Sequence, residues 1–167
     1  MNFILRKWRL EDAADLAGNI NNPKVERNLR DGLPMPYTTP DAEAYIKDCL
    51  EADPALRYLR AIEVDGVAAG SIGVFTLDNV YRKSAEIGYY LGEPYWGRGI
   101  MTSVVGTACR EAFAALDIVR IHAGVYAGNA GSRRVLEKNG FVLEGVQRSS
   151  VWKHGVLMDS CIYALLR

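Results

Sequence analysis

Neither sign of charge is in surplus in this 167-residue chain: 20 acidic side chains balance 20 basic ones, so the basic excess that general nucleic-acid binding requires is missing. Any anion site must be local. Cys49, Cys109 and Cys161 lie far apart and form no Cys-x-x-Cys pair, which argues against a disulfide framework and for reduced thiols. His122 and His154 stand in no ligand motif, so each reads as a strand or turn residue and no metal site is expected. No run free of Asp, Glu, Lys and Arg approaches the roughly 20 residues of a membrane span, and the start Met1–Arg6 is charged too soon for a signal peptide. Internal repeats, low-complexity segments and linkers are missing too. A single domain over residues 1–167 is expected, cytoplasmic, with no membrane or nucleic-acid partner, as a monomer or homodimer. At this length about 70% of the unfolded surface can be buried without staples.

What is present is the run Gly92-Glu-Pro-Tyr-Trp-Gly-Arg-Gly-Ile-Met-Thr-Ser103, between a strand pattern and a helix pattern. Two glycines flanking one arginine let the backbone pass close to a ligand, and a helix start aims N–H groups and partial positive charge at an anion. The run reads as a pyrophosphate cradle. It is not a dinucleotide fingerprint, because Thr102 stands where the third glycine would be, nor a Walker loop, since Gly-Lys-Ser/Thr occurs nowhere. Alone, so short a Gly-x-Gly stretch also fits a plain strand-to-helix turn, and its neighbours must decide.

Those neighbours alternate between strand and helix patterns. Phe3–Trp8 has strand composition, and Leu10, Ala13, Ala14 and Ala17 then fall at helical spacing. A short helix over Lys24–Arg30 and a loop follow, and Thr39-Pro40 supplies an N-cap and first turn for a helix ending near Ala52-Asp53-Pro54. Tyr58–Val64 and Val67–Thr76 are strands joined by Asp65-Gly66, a pair suited to a type I′ hairpin. Ala85–Leu91 is a third strand. Met101, Val104, Val105, Ala108, Cys109, Ala112, Phe113 and Leu116 trace the apolar face of a long helix. Val119–Val125 reads as a strand, Ala130–Lys138 as a helix stopped by Asn139-Gly140, and 141–151 with 156–166 as a last strand pair. The order predicts one α/β domain of the α+β type with a mixed sheet.

Three stretches, Ala85-Glu-Ile-Gly-Tyr-Tyr-Leu91, Trp96-Gly-Arg-Gly-Ile-Met101 and Asn129-Ala-Gly-Ser-Arg-Arg-Val-Leu-Glu-Lys-Asn-Gly-Phe141 with Glu144-Gly145, resemble the GNAT superfamily of acetyl-coenzyme A dependent N-acetyltransferases. Leu5-Arg6…Asp12 and Asp159…Tyr163 are similar to the branch that acetylates ribosomal-protein N-termini. The resemblance covers nearly the whole chain. It implies a GNAT-like, mostly antiparallel sheet of six to seven strands flanked by about four helices. It also implies acetyl-coenzyme A as cosubstrate and a primary amine as acceptor, most naturally a protein N-terminal amine. Transfer would be direct, in a ternary complex, since no cysteine lies in the motifs. A small amine such as a polyamine, aminoglycoside or amino acid is the alternative acceptor, and a non-catalytic coenzyme A binding module the alternative class.

The superfamily's phosphate loop, Gln/Arg-x-x-Gly-x-Gly/Ala, maps onto Trp96, Gly99 and Met101, so its first and last positions differ here. The resemblance gives the pyrophosphate to Gly97, Arg98, Gly99, Ile100, Met101 and Thr102 beside Trp96. It gives the pantetheine arm to the strand edge Tyr89-Tyr90-Leu91 and to Asn129 and Ser132.

Acetyl transfer to an amine needs a neutral nucleophile, an oxyanion donor and a proton for the departing thiolate. Glu86, in an apolar strand, reads either as a base whose pKa desolvation raises or as a carboxylate paired with an arginine. Asn129 and Ser132, three apart at a helix start, share one face and are either ligand contacts or an N-cap with a first-turn partner. Ser132 is the candidate general acid and Tyr126 the reserve. The oxyanion falls to a backbone N–H of Tyr89–Leu91, where Gly88 marks either a bulge or close packing. Acceptor selection is expected from loops 21–40, 76–84 and 149–156, with Arg27, Arg30, Asp31, Tyr37 and Arg82 as rim residues or ordinary surface.

Overall fold

The computed structural model describes residues 2–167. Seven strands form one sheet in the order β1-β2-β3-β4-β5-β7-β6. They are β1 (Phe3–Arg6), β2 (Arg57–Val64), β3 (Val67–Thr76), β4 (Ser84–Leu91), β5 (Arg120–Tyr126), β6 (Val142–Lys153) and β7 (Val156–Leu166). Every neighbouring pair is antiparallel except β4 and β5. Five helices connect them: α1 (Ala13–Ile20), α2 (Pro23–Glu26), α3 (Thr39–Glu51), α4 (Ile100–Ala115) and α5 (Ala130–Lys138).

The hairpin expected at Asp65-Gly66 is there, with φ of 48° and 90° at its two residues and Val64 paired to Val67. Two helix boundaries differ from the sequence reading. The N-cap of α3 is Thr38, not Thr39, because Asp41 three residues on closes a capping box with it: Asp41 N–H donates to Thr38 Oγ1 at 3.3 Å and Thr38 N–H to Asp41 Oδ2 at 2.8 Å. The short helix stops at Glu26, since Asn22 caps it with Pro23 in its first turn and only 4 residues follow the helical path.

Apolar layers cover both faces of the sheet. On one face α4 buries Ile100, Val104, Val105, Ala108, Cys109 and Ala112 against β3, β4 and β5, with Leu136 of α5 in the same cluster. On the other, Leu16, Ile20, Ala42 and Ile46 of α1 and α3 pack with Trp8 and Ala68. Each such Leu, Ile or Val contributes about 1.5–3 kcal/mol through burial. Asn139 locks α4 to α5 by donating to Thr102 O at 3.0 Å and Val135 O at 2.8 Å. Gly106 makes that approach possible, since a Cβ there would lie 2.6 Å from Asn139 Oδ1.

The Arg6…Asp12 pair of the resemblance is a structural clamp. Arg6 grips Asp12 with two nitrogens at 2.7 and 2.8 Å and also pairs with Glu63. Burial opposes ionisation of Asp12, but the hydrogen bonds from Arg6 and the Arg9 N–H hold its carboxyl below the ordinary value. Asp159 likewise serves structure, accepting the Ser149 N–H at 2.8 Å. No helix among the described residues is long and apolar enough to cross a membrane.

Candidate active site

The site begins where two strands part. β4 pairs with β5 only over Ser84–Glu86 and Arg120–His122, then runs on to Leu91 beside β3 in unbroken register. Gly88 sits opposite Gly73 with no register shift, and a Cβ there would meet no atom within 4 Å, so neither a bulge nor close packing, the two readings of this glycine, is found. The amides of β4 that face β5 are released by divergence of the strands instead. From Ile87 onward that edge of β4 has no strand partner among the described residues.

At the far end of β4 the chain turns into the cradle. Trp96 Nε1 donates to Leu91 O at 2.6 Å, pinning the turn, so its indole N–H is spent inside the protein. Gly97 and Gly99 have φ of 74° and 75°, the left-handed region where L side chains are strained. A Cβ on either would meet no atom within 4 Å, so the ground before the helix start is open. Inside α4 the Ser103 N–H is the first to bond back, to Gly99 O at 3.2 Å, and the preceding amides begin the helix without intrahelical acceptors. Open space, two bare glycines and a helix N-terminus with Arg98 between the glycines fit a pyrophosphate. Ile100 is buried in the core and Met101 packs against it, so these two can contribute only backbone.

Across the opening, Asn129 caps α5 by accepting the Ser132 N–H at 3.2 Å. Ser132 Oγ lies 2.8 Å from the Tyr89 hydroxyl, a bond that bridges β4 and α5. Burial pushes the Tyr89 phenol up to about 12, so it holds its proton at neutral pH. Tyr90 points the opposite way, as strand alternation requires, into the core beneath α1 and α3. Its side chain therefore cannot touch a ligand in the opening. The Tyr90 hydroxyl and Trp8 Nε1 lack hydrogen-bond partners in that layer.

Below the cradle, a cavity of about 520 Å³ opens where β4 and β5 still pair. Glu86 and His122, in register on the two strands, line it with Arg30, Asp31, Tyr126, Gln147, Trp152 and Lys153. Glu86 is paired with Arg30 on the cavity wall. Tyr126 donates to Leu29 O at 3.2 Å and lines the cavity, whereas Ser132 does not; the two acid candidates occupy different parts of the site.

Loops 21–40 and 149–156 both supply wall residues, and 76–84 supplies none. Arg82 folds back on Asn79 O at 2.9 Å, Arg27 is exposed and Tyr37 is buried, so of the rim residues only Arg30 and Asp31 reach the cavity. Sequence reasoning missed Lys153, Glu26 and the lining role of His122. Lys153 Nζ reaches Glu26 Oε1 at 2.7 Å and Asp31 Oδ1 at 2.8 Å, and His154 Nε2 lies 2.9 Å from Glu26 Oε2. These partners are more than 120 positions apart, beyond any local pattern. No group of three or more His, Cys, Asp or Glu among the described residues could hold a metal.

The profile of the acetyltransferase (GNAT) domain matches residues 2–142. "Probable N-acetyltransferase YjcK" of Bacillus subtilis (strain 168) is 38% identical over 70% of this chain, a match that spans 65% of that relative's length. The ribosomal-protein-serine acetyltransferase of Escherichia coli (strain K12) is 28% identical over 56% of this chain and 53% of its own. Among solved structures, Mycobacterium smegmatis RimJ in complex with CoA-disulfide superposes with a TM-score of 0.86 at 25% identity, covering 98% of this chain and 81% of that one. The profile runs from β1 into β6 and takes in the parted strands, the cradle and the Asn129–Ser132 turn: this chain belongs to the GNAT acetyltransferase domain family.

Proposed function

We propose that this chain transfers the acetyl group of acetyl-coenzyme A to a primary amine, and that the amine is the N-terminal α-amine of a protein. One observation carries the reading: the edge of β4 that has no strand partner from Ile87 onward lies between Glu86, on the wall of the cavity, and the glycine cradle that follows Leu91. The relative named ribosomal-protein-serine acetyltransferase supports the choice of a protein acceptor.

When bound, acetyl-coenzyme A supplies the thioester carbonyl and a thiol leaving group. The amides of Gly97 to Thr102 hold its pyrophosphate through the helix start. The released β4 edge at Tyr89–Leu91 pairs with the pantetheine arm and offers an N–H to the developing oxyanion. Ser132 gives a proton to the departing sulfur, the proton that the nitrogen sheds as the amide forms restores that hydroxyl, and Tyr89, protonated and 2.8 Å away, orients it. Glu86, held on the cavity wall by its pairing with Arg30, orients the incoming amine. A base is scarcely needed for an α-amine: with pKa near 7.7–8.0 against about 10.4 for lysine, it is neutral roughly 300 times more often at neutral pH.

Thiol release from acetyl-coenzyme A over an amine panel tests this. Peptides with a free α-amine should turn over, while N-blocked peptides carrying lysine, spermidine and aminoglycosides should be far slower. Turnover with small amines alone would overturn the acceptor assignment, and no turnover with any amine would overturn acetyl transfer.

A further inference from the structure

The segment between α1 and α3, residues 21–38, contains one 4-residue helix and buries only Val25 and Tyr37. Apolar packing alone does not fix its path. Polar ties do. Asn21 and Tyr37 close its ends, with Asn21 Nδ2 donating to Tyr37 O at 2.5 Å and Tyr37 N–H to Asn21 Oδ1 at 2.8 Å. Asn22 Nδ2 donates to Glu93 Oε2 at 2.6 Å, beside the cradle.

Lys153 and His154 both tie the middle of the segment at Glu26, and Lys153 alone of the two also reaches Asp31. Lys153, the last residue of β6, is only 4% exposed, and its ammonium bridges Glu26 and Asp31. Those two carboxylates bracket the residues by which the segment touches the site: Leu29 O accepts from Tyr126, and Arg30 pairs with Glu86. Burial alone would lower the Lys153 pKa, but its hydrogen bonds to Asp31 and Glu26 carry it above the ordinary lysine value, so the bridge is charged at neutral pH.

We propose that Lys153 is a positioning residue for the acceptor half of the site: by holding Glu26 and Asp31 it sets the turn between them so that Leu29 O and Arg30 meet Tyr126 and Glu86 across the cavity. The role rests on the reading that this cavity receives the amine. Asp31 is 72% exposed, so removing the ammonium lets its carboxylate rehydrate. The turn then loosens while the sheet and the cradle keep their contacts. The acceptor should feel the loss and the cofactor should not.

Lys153→Met keeps most of the stem and deletes the charge. Its KM for an α-amine peptide should rise about tenfold or more with kcat within about threefold, and its Kd for coenzyme A should match the wild type. Lys153→Arg, which keeps a cation, should recover most of the lost KM. Amide hydrogen exchange of residues 27–31 should be at least about tenfold faster in Lys153→Met, a readout that needs no substrate. Unchanged exchange, an unchanged KM, or a fall in kcat at constant KM would overturn the proposal. If wild-type protein turns over no amine while exchange responds as expected, the positioning of the turn stands and the acetyl-transfer reading fails. Should Lys153→Met not bind coenzyme A at all, Glu26→Gln with Asp31→Asn removes the same bridge from the other side and carries the same expectations.

Discussion

The two ends of the opening between β4 and β5 are made of different materials. The cradle end is backbone: left-handed glycines, a helix start and a strand edge, braced by short-range contacts such as Trp96 to Leu91 O and Asn129 to the Ser132 N–H. The cavity end is side chains: a loop of little secondary structure held by Arg30–Glu86, Lys153–Glu26, Lys153–Asp31 and Tyr126–Leu29 O. A backbone site tolerates changes of side chain such as Trp96 and Met101 but not of the glycines that its left-handed turns require. A side-chain site can be retied by a few substitutions, which suits the part proposed to select an acceptor.

Changes at the cradle should be the more damaging. Gly99→Val puts a branched residue at φ 75° and a side chain into the open ground before α4, so coenzyme A affinity should fall by more than about 100-fold by calorimetry. A Gly99→Val protein that binds normally would remove the distinction between the two ends. Ser132→Ala should lower kcat about 100-fold with the KM for acetyl-coenzyme A nearly unchanged, the signature of a lost proton donor. Trp96→Phe deletes the bond to Leu91 O at the turn and should cost about 1 kcal/mol of stability in denaturant unfolding.

Acid should act on the other end. The hydrogen bond from Lys153 is the chief cause that holds the Glu26 carboxyl below its ordinary value, and the same ammonium lowers Asp31. Because both folded values are depressed, their contribution is present above the unfolded values, about 4.3 for Glu and 3.9 for Asp, and is lost as pH falls through the folded ones. Residues 26–31 should therefore gain amide exchange below about pH 4 before α4 does. Simultaneous loosening of both regions would blur the comparison.

The same difference explains what could be read from the sequence. The order of elements along the chain, the Asp65-Gly66 hairpin, the α4 stripe and the glycine turn before α4 all rest on local rules of periodicity and turn chemistry, and they stand in the structure with small shifts at Thr38 and Glu26. Pairing of Glu86 with an arginine was one of two readings of the sequence, but which arginine was not legible, since Arg30 lies 56 positions away. Tyr89, Tyr90 and Leu91 were legible as a backbone edge, whereas the side-chain directions follow from strand alternation, with Tyr89 on Ser132 and Tyr90 beneath α1 and α3. The parting of β4 from β5 left no mark in composition, and Gly88 drew attention to the wrong cause. Lys153 carried no signal, because a lysine near a turn is ordinarily solvated and only tertiary contact buries it.

Titrating coenzyme A into Lys153→Met, alongside wild type and Gly99→Val, tests the separation of the two ends most directly. A Kd within about twofold of wild type for Lys153→Met, with binding lost in Gly99→Val, is the expected result. Loss of coenzyme A binding in a folded Lys153→Met protein comparable to that in Gly99→Val would contradict it.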